Sequence, residues 1–251
     1  MFRGRVLDLC CGAGASALPA ARAVAPGGAV DAVDLAAGLL RHGERAAADA
    51  GVRNVRFIEA DATAWAPAGV DYDVVQCAFG VFMLPDMDAD TARLVGLLRQ
   101  GGRLAVASWA KGAIEVLGRP FYEALMVEKP EMASSPMLGS PITRIDDEGK
   151  FSGWLRGFGL GEVRVRRVPL EVPLNPELGW SLVTGSGFRA ALSGLDDAAV
   201  ERMRAAGVAR AGRRRIDGRD GVDRHRNQAL NRPGRPSLHV AAALWSRRIR
   251  L

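Results

Sequence analysis

The residues best placed to do chemistry lie near the start of the chain. Gly12-Ala13-Gly14-Ala15-Ser16-Ala17 follows the apolar run Arg5-Val6-Leu7-Asp8-Leu9. Glycines at 12 and 14 let the backbone approach a ligand closely and turn into a helix whose N-terminus favours negative charge. A dinucleotide pyrophosphate and an amino-acid carboxylate satisfy that physics equally well. Asp34 lies 20 residues after Gly14, where a carboxylate can accept both ribose hydroxyls of an adenosyl group. Asp8, four residues before Gly12, is not something the dinucleotide fingerprint G-x-G-x-x-[G/A] asks for.

The elements that must position these residues follow an alternating rhythm. Residues 5–9 read as a buried strand, and 15–25 as a helix of small residues stopped by Pro26-Gly27-Gly28. Strands are expected at 29–34, 55–61, 72–79 and 103–109, with helices running to Ala50 and from about Ala89 to Arg99. This pattern predicts an α/β fold, a Rossmann-like, doubly wound and mostly parallel sheet with helices on both faces. Such sheets bind ligands at the carboxyl ends of their strands, where the strand order switches. The expected division is a cofactor-binding core at 1–112, a cap or acceptor-site insertion at 113–145, and a return to the core at 146–174. The return carries a helix at 146–158 and a strand at 161–174. A helical excursion at 175–206 and an irregular Arg-rich tail at 207–251 complete the chain. The insertion is rich in Met, Pro and Ser and poorly periodic, and together with 175–206 it reads as a partly helical cap over the strand ends.

Several stretches together resemble the class I S-adenosylmethionine-dependent methyltransferases. "VLDLCCGAG" at 6–14 is similar to that family's first motif, V-L-D-[LVI]-[GAC]-C-G-[TA]-G, with Cys10 in place of the usual first glycine. "EADATAW" at 59–65 resembles the acidic residue and small partner after the third strand. "YDVVQCAFGVFMLPD" and "LLRQGGRLAVASW" resemble the family's patterns around the fourth and fifth strands. The likeness runs through 5–109, is looser over 146–168, and is nearest the small-molecule branch of ubiquinone/menaquinone-type and natural-product enzymes. It implies S-adenosylmethionine as cofactor, S-adenosylhomocysteine as product, and methyl transfer to O, N or C of a small metabolite. The implied cofactor-binding residues are Asp8, Cys10, Gly12, Gly14, Asp34, Leu35, Asp61, Ala62 and Cys77. Within that set Asp34 would take the ribose, Asp61 the adenine amino group and the Ala62 N–H the ring edge, with the loop cradling the methionyl end. Asp8 is expected to steady the loop rather than perform chemistry.

No general base is evident: His42 sits on the helix after the second strand, and His225 and His239 lie in the tail. In-line holding of a nucleophile against an already activated methyl does not demand one. Phe79 and Trp109 end the fourth and fifth strands and are candidates to wall the acceptor. Trp65 is a candidate to flank the adenine, Leu39 and Leu40 to touch the adenosine. Phe121, Tyr122 and Met126 form an apolar face, either a cap's inner surface or plain core. The three cysteines, two of them adjacent, suggest neither a disulfide scaffold nor a metal site, and a reducing, cytoplasmic setting is expected.

The formal net charge is +6, but residues 210–251 hold 12 arginines against 3 aspartates, so the rest of the chain is mildly acidic. We therefore expect a small-molecule acceptor and neither a membrane nor a nucleic-acid partner; oligomeric state is not legible. Family members usually carry residues before the first strand that close over the cofactor, and this chain begins at that strand. They also end in an antiparallel strand, whereas "GVARAGRRRIDGRDGVDRHRNQALN" has no strand periodicity. Read one nucleotide further on with G/C-rich codons, the tail yields a β-branched, period-two run, so a shifted frame from about Gly207 is expected. Two rival readings remain: a degenerate non-catalytic cofactor binder, and an RNA methyltransferase using the basic tail, which predicts salt-sensitive binding. NAD-dependent oxidoreduction gives Asp8 and "EADAT" no role.

Overall fold

A computed structural model describes residues 4–67, 69–113, 115–134, 141–169, 175–213 and 239–247. Its centre is a seven-stranded sheet of order β3-β2-β1-β4-β5-β7-β6. The strands are β1 (Arg5–Leu9), β2 (Ala29–Asp34), β3 (Val55–Glu59), β4 (Tyr72–Ala78), β5 (Leu98–Trp109), β6 (Val165–Pro169) and β7 (His239–Arg247). β1 to β5 pair in parallel, with Leu7 opposite Asp31 on β2 and Asp8 opposite Gln76 on β4. The chain winds outward from β1 through β2 to β3, then returns to β4 on the other side. The switch in strand order therefore falls between β1 and β4, the position at which such sheets open a crevice for ligands.

Alternation along the strands builds two cores. Val6, Val30 and Ala32 face Ala17, Ala21 and Val24 of α1 (Ala17–Val24) and Leu40 of α2 (Ala37–Asp49). Leu7, Leu9, Val33, Val75 and Cys77 point the other way. There they meet Met87 and Leu94 of α3 (Met87–Gly96) and Phe151 and Leu155 of α5 (Glu148–Arg156). α3 starts at Asp86, whose carboxylate accepts from the Asp88 and Ala89 amides, and α5 at Asp147, which accepts from the Lys150 amide. Asp86 is thus a helix cap. Asp31 is buried beneath β2 and is held by the Tyr72 hydroxyl at 2.8 Å and by Arg5 and Arg56.

The chain divides into two compact units. Of the described residues, the sheet unit takes those up to 111, those of 141–168 and those from 240 on, and the other takes those of 112–134 and 169–239. The second has its own core of Phe121, Leu125, Val183, Ala191 and Met203, from α4 (Glu115–Glu128), α6 (Pro176–Thr184) and α7 (Asp197–Arg213) with their connections. Tyr122 and Met126 pack against that core.

Several expectations shift. The region read as poorly periodic contains the 14-residue α4. Its Leu117, Phe121, Ala124 and Leu125 hold helical spacing, and Pro120 removes only one backbone donor. The third strand ends at Glu59, whose partner Asp34 is the last residue of β2, and Asp61 then opens a turn. The tail is not irregular throughout: β7 runs antiparallel to β5, pairing Ala107 with Ala242 and Trp109 with Val240. The apolar run Val240 to Trp245 suits a strand that the arginines before it conceal. The stretch 214–238, on which the shifted-frame expectation mainly rests, and His225 within it, lie outside the described residues.

Candidate functional site

The loops leaving β1, β2 and β4 meet at the switch point. Leu9 leads into Cys10, which takes a left-handed conformation at φ 54°, and Gly12 and Gly14 follow at φ 55° and 83°. The Gly14 amide donates to Cys11 O at 2.9 Å, closing the turn. A Cβ on Gly12 would meet nothing nearer than Leu39 Cδ1 at 3.9 Å, so the loop leaves open space there. One on Gly14 would strike the Phe57 ring at 2.9 Å. Gly12 is thus open toward a ligand, and Gly14 is required for packing.

Asp34 ties the loops together. One carboxylate oxygen accepts from the Gly12 amide and the other from the Ala36 amide, both at 2.8 Å. The end of β2 thereby fixes the loop after β1, and each oxygen keeps lone-pair capacity for a ligand hydroxyl. Leu35 beside it is 69% exposed. Leu39 lies against the loop, whereas Leu40 is core.

Asp8 is wholly buried on the α1 face of β1. Its Oδ2 accepts from the Ser16 hydroxyl at 2.7 Å, while its Oδ1 and the Nε2 of Gln76 opposite have no hydrogen-bond partner among the described residues. Burial pushes the Asp8 carboxyl up to about 7; the Ser16 and Gln76 dipoles act against that rise, and Asp34 adds to it. Asp61 is exposed and accepts the Thr63 amide and hydroxyl on Oδ1, both at 2.8 Å; those bonds hold its carboxyl below the usual range. Ala62 is buried, and its carbonyl accepts from Arg93. Trp65 packs into the core under α3. His42 is exposed on α2 against Arg45, away from the loops.

Across the switch point, β4 ends in Cys77 and Ala78, and Phe79 then adopts the left-handed region at φ 59°. Cys10 and Phe79 are the non-glycine residues of positive φ among those described. They sit just past the ends of the adjacent strands β1 and β4, and such strain concentrates at functional sites. Phe79 packs on Trp109 at the end of β5, ring centroids 4.4 Å apart and tilted by 34°, and both rings stay partly exposed. Gly80 lets this turn close on the loop: a Cβ there would lie 2.5 Å from Cys10 Cβ and 2.7 Å from Cys77 Sγ. Cys77 is sealed from solvent, so it stands behind Cys10 rather than facing an open cleft. Sequence reasoning missed Ser16, Gln76 and Gly80. The signal for Gln76 was a lone polar side chain in an apolar strand, in register with Asp8.

A sheet of this order, with a glycine loop tied to a strand-end acid at its switch point, defines a Rossmann-like cofactor-binding domain. Residues 6–102 match the methyltransferase domain family. The chain is 36% identical over 104 residues to aklanonic acid methyltransferase DauC of Streptomyces sp. strain C5, covering 41% of this chain and 47% of that protein. It is 31% identical over 199 residues to nocamycin O-methyltransferase of Saccharothrix syringae, covering 72% of this chain and 68% of that protein. In fold it resembles the YcgJ protein of Bacillus subtilis, with TM-score 0.54 and 16% identity over 98% of this chain and 92% of that one. The chain belongs to the S-adenosylmethionine-dependent methyltransferases. Its match to DauC spans about half of that relative's length. Among the described residues no helix is long and apolar enough to cross a membrane.

Proposed function

We propose that the protein transfers a methyl group from S-adenosylmethionine to a small-molecule acceptor. The observation that carries this reading is the Asp34 carboxylate spanning the Gly12 and Ala36 amides beside an unfilled Gly12. The residues suit the cofactor: an open glycine backbone for its amino-acid end, a half-buried carboxylate for its ribose hydroxyls, and the exposed Leu35 for its adenine face. Asp61 and the Ala62 amide are assigned to the adenine edge. Asp8 and Cys77 act from behind the loop, holding Gly12, Gly14 and Cys10 in place. When bound, S-adenosylmethionine supplies a methyl group already activated on a sulfonium. The protein's part is then to orient the acceptor and exclude water. Phe79 and Trp109, at the ends of β4 and β5, are the walls assigned to the acceptor. That its relatives are an aklanonic acid methyltransferase and a nocamycin O-methyltransferase supports a small natural-product acceptor.

The test is calorimetric binding of S-adenosylhomocysteine to wild type and to Asp34→Ala. The variant loses both amide bonds and the ribose acceptor. Its affinity should fall at least about a hundredfold, close to 3 kcal/mol. Equal affinities would overturn the site. Binding without methyl transfer across an acceptor panel would favour the non-catalytic binder instead.

A further inference from the structure

The geometry points to Cys10 and Cys77 as a reversible oxidation site whose disulfide, formed with a peroxide as oxidant, disables the cofactor loop. The inference rests on the reading of the Cys10 loop as the cofactor cradle. Both thiols are free, and both sulfurs border the same point above Gly80: a Cβ built there would lie 2.7 Å from Cys77 Sγ and 3.0 Å from Cys10 Sγ. β1 and β4 are adjacent and in register through Asp8 and Gln76, which sets Cys10 one residue past the position opposite Cys77. Neighbouring strands stand about 4.8 Å apart, within the Cα separation a disulfide spans. Cys11 is no competitor by geometry. It packs with Val6 and Ala17 on the α1 face, whereas Cys77 belongs to the opposite core, against which Cys10 packs.

The two thiols differ in reactivity. Cys77 is fully buried, and Cys10 is partly exposed at the loop. The Cys77 thiol beside it holds the Cys10 thiol below its usual range, against burial and the carboxylates of Asp34, Asp8 and Asp61. Cys10 is therefore the attacking thiol and Cys77 the resolving one. In the first step Cys10 sulfur attacks a peroxide oxygen, the O–O bond breaks, and Cys10 sulfenic acid and water form. In the second, Cys77 sulfur attacks the sulfenyl sulfur, the S–O bond breaks, and its oxygen leaves as water with the Cys77 proton. Two thiols are oxidised to one disulfide, and one hydrogen peroxide is reduced to two waters. The new bond draws Cys10 toward β4. The backbone at Cys10 is already left-handed and leads directly into Gly12, so the loop that Asp34 holds must shift.

The full-length chain, first reduced, is treated with hydrogen peroxide, mapped by peptide mass spectrometry, and titrated with S-adenosylhomocysteine before and after. A Cys10–Cys77 linked peptide and a loss of affinity of about tenfold or more are expected, both reversed by dithiothreitol. Cys11→Ala should keep the link and the loss; Cys77→Ala should form no link. A Cys10–Cys11 bond, a sulfinic acid at Cys10 without the link, or a link that leaves affinity unchanged would overturn the inference. A reduced chain that binds no S-adenosylhomocysteine would overturn the cofactor reading instead, and the linked peptide would still decide whether the pair oxidises.

Discussion

Replacing Asp8 by Asn should flatten the pH dependence of stability. The carboxyl is wholly buried, has one partner in Ser16, and is raised by burial from 3.8 to about 7. Because the folded-state value lies above the unfolded one, the native chain holds a proton that the unfolded chain has released. The associated stability is fully present below about pH 4 and is lost as pH rises through 7. At about 1.4 kcal/mol per unit, the whole span is worth up to about 4 kcal/mol. Urea denaturation between about pH 5 and pH 8 covers roughly two of those units, so wild type should lose about 3 kcal/mol more than Asp8→Asn across that window. The amide keeps the shape and the Ser16 bond and carries no charge at either end. Curves that run parallel for the two proteins would refute the argument, because the buried carboxyl would then titrate alike in folded and unfolded chains.

Gly80→Ala should destabilise the fold by about 1–3 kcal/mol in chemical denaturation, because its Cβ would fall 2.5 Å from Cys10 Cβ. Gly96→Ala, at the end of α3 with nothing within 4 Å, should instead gain up to about 1 kcal/mol in the same experiment. Trp109→Ala should raise the acceptor KM about tenfold or more while the S-adenosylhomocysteine Kd stays within about twofold, as steady-state kinetics and calorimetry would read. Trp154→Phe removes the indole donor to Asp88 at 2.7 Å and should cost about 1 kcal/mol of stability in urea, leaving cofactor affinity unchanged.

What the sequence discloses and conceals follows from what each residue type constrains. That Gly12 and Asp34 meet at the strand ends was legible because a glycine turn after one strand and a carboxylate ending the next, at fixed spacing, bring them together in this fold. The strands β1 to β4 and the second half of β5 were legible because short apolar runs bounded by turns admit little else, whereas the start of β5 at Leu98 was hidden by a helix expected to run to Arg99. Phe79 gave no such sign: nothing in an aromatic side chain announces a positive φ, which Gly80 and the packing on Trp109 impose from outside. Asp8 and Gln76 were separately visible, yet their opposition depends on the β1–β4 register, a long-range property. α4 was hidden by Gly118 and Pro120, each of which weakens local helix propensity while the Phe121 and Leu125 stripe is held by its own core. β7 was hidden by composition, since its pairing with β5 is decided by the vacant edge of that strand and not by the arginines before it.

Cys10 shows how strain and contact are traded at the switch point. A side chain in the left-handed region costs about 1–2 kcal/mol, a cost that glycine at this position would avoid. Cys10 is held there by contacts glycine lacks: its Cβ packs beside Gly80, its sulfur meets Cys77, and it borders the core that contains Val33 and Cys77. Phe79 carries a similar strain at the end of the neighbouring strand, fixed by its ring on Trp109 and by its amide donating to Ala107 O at 3.0 Å. The two strained residues share Gly80 as the point where their turns touch. The thiol that stands in glycine's place thus couples the end of β1 to the end of β4.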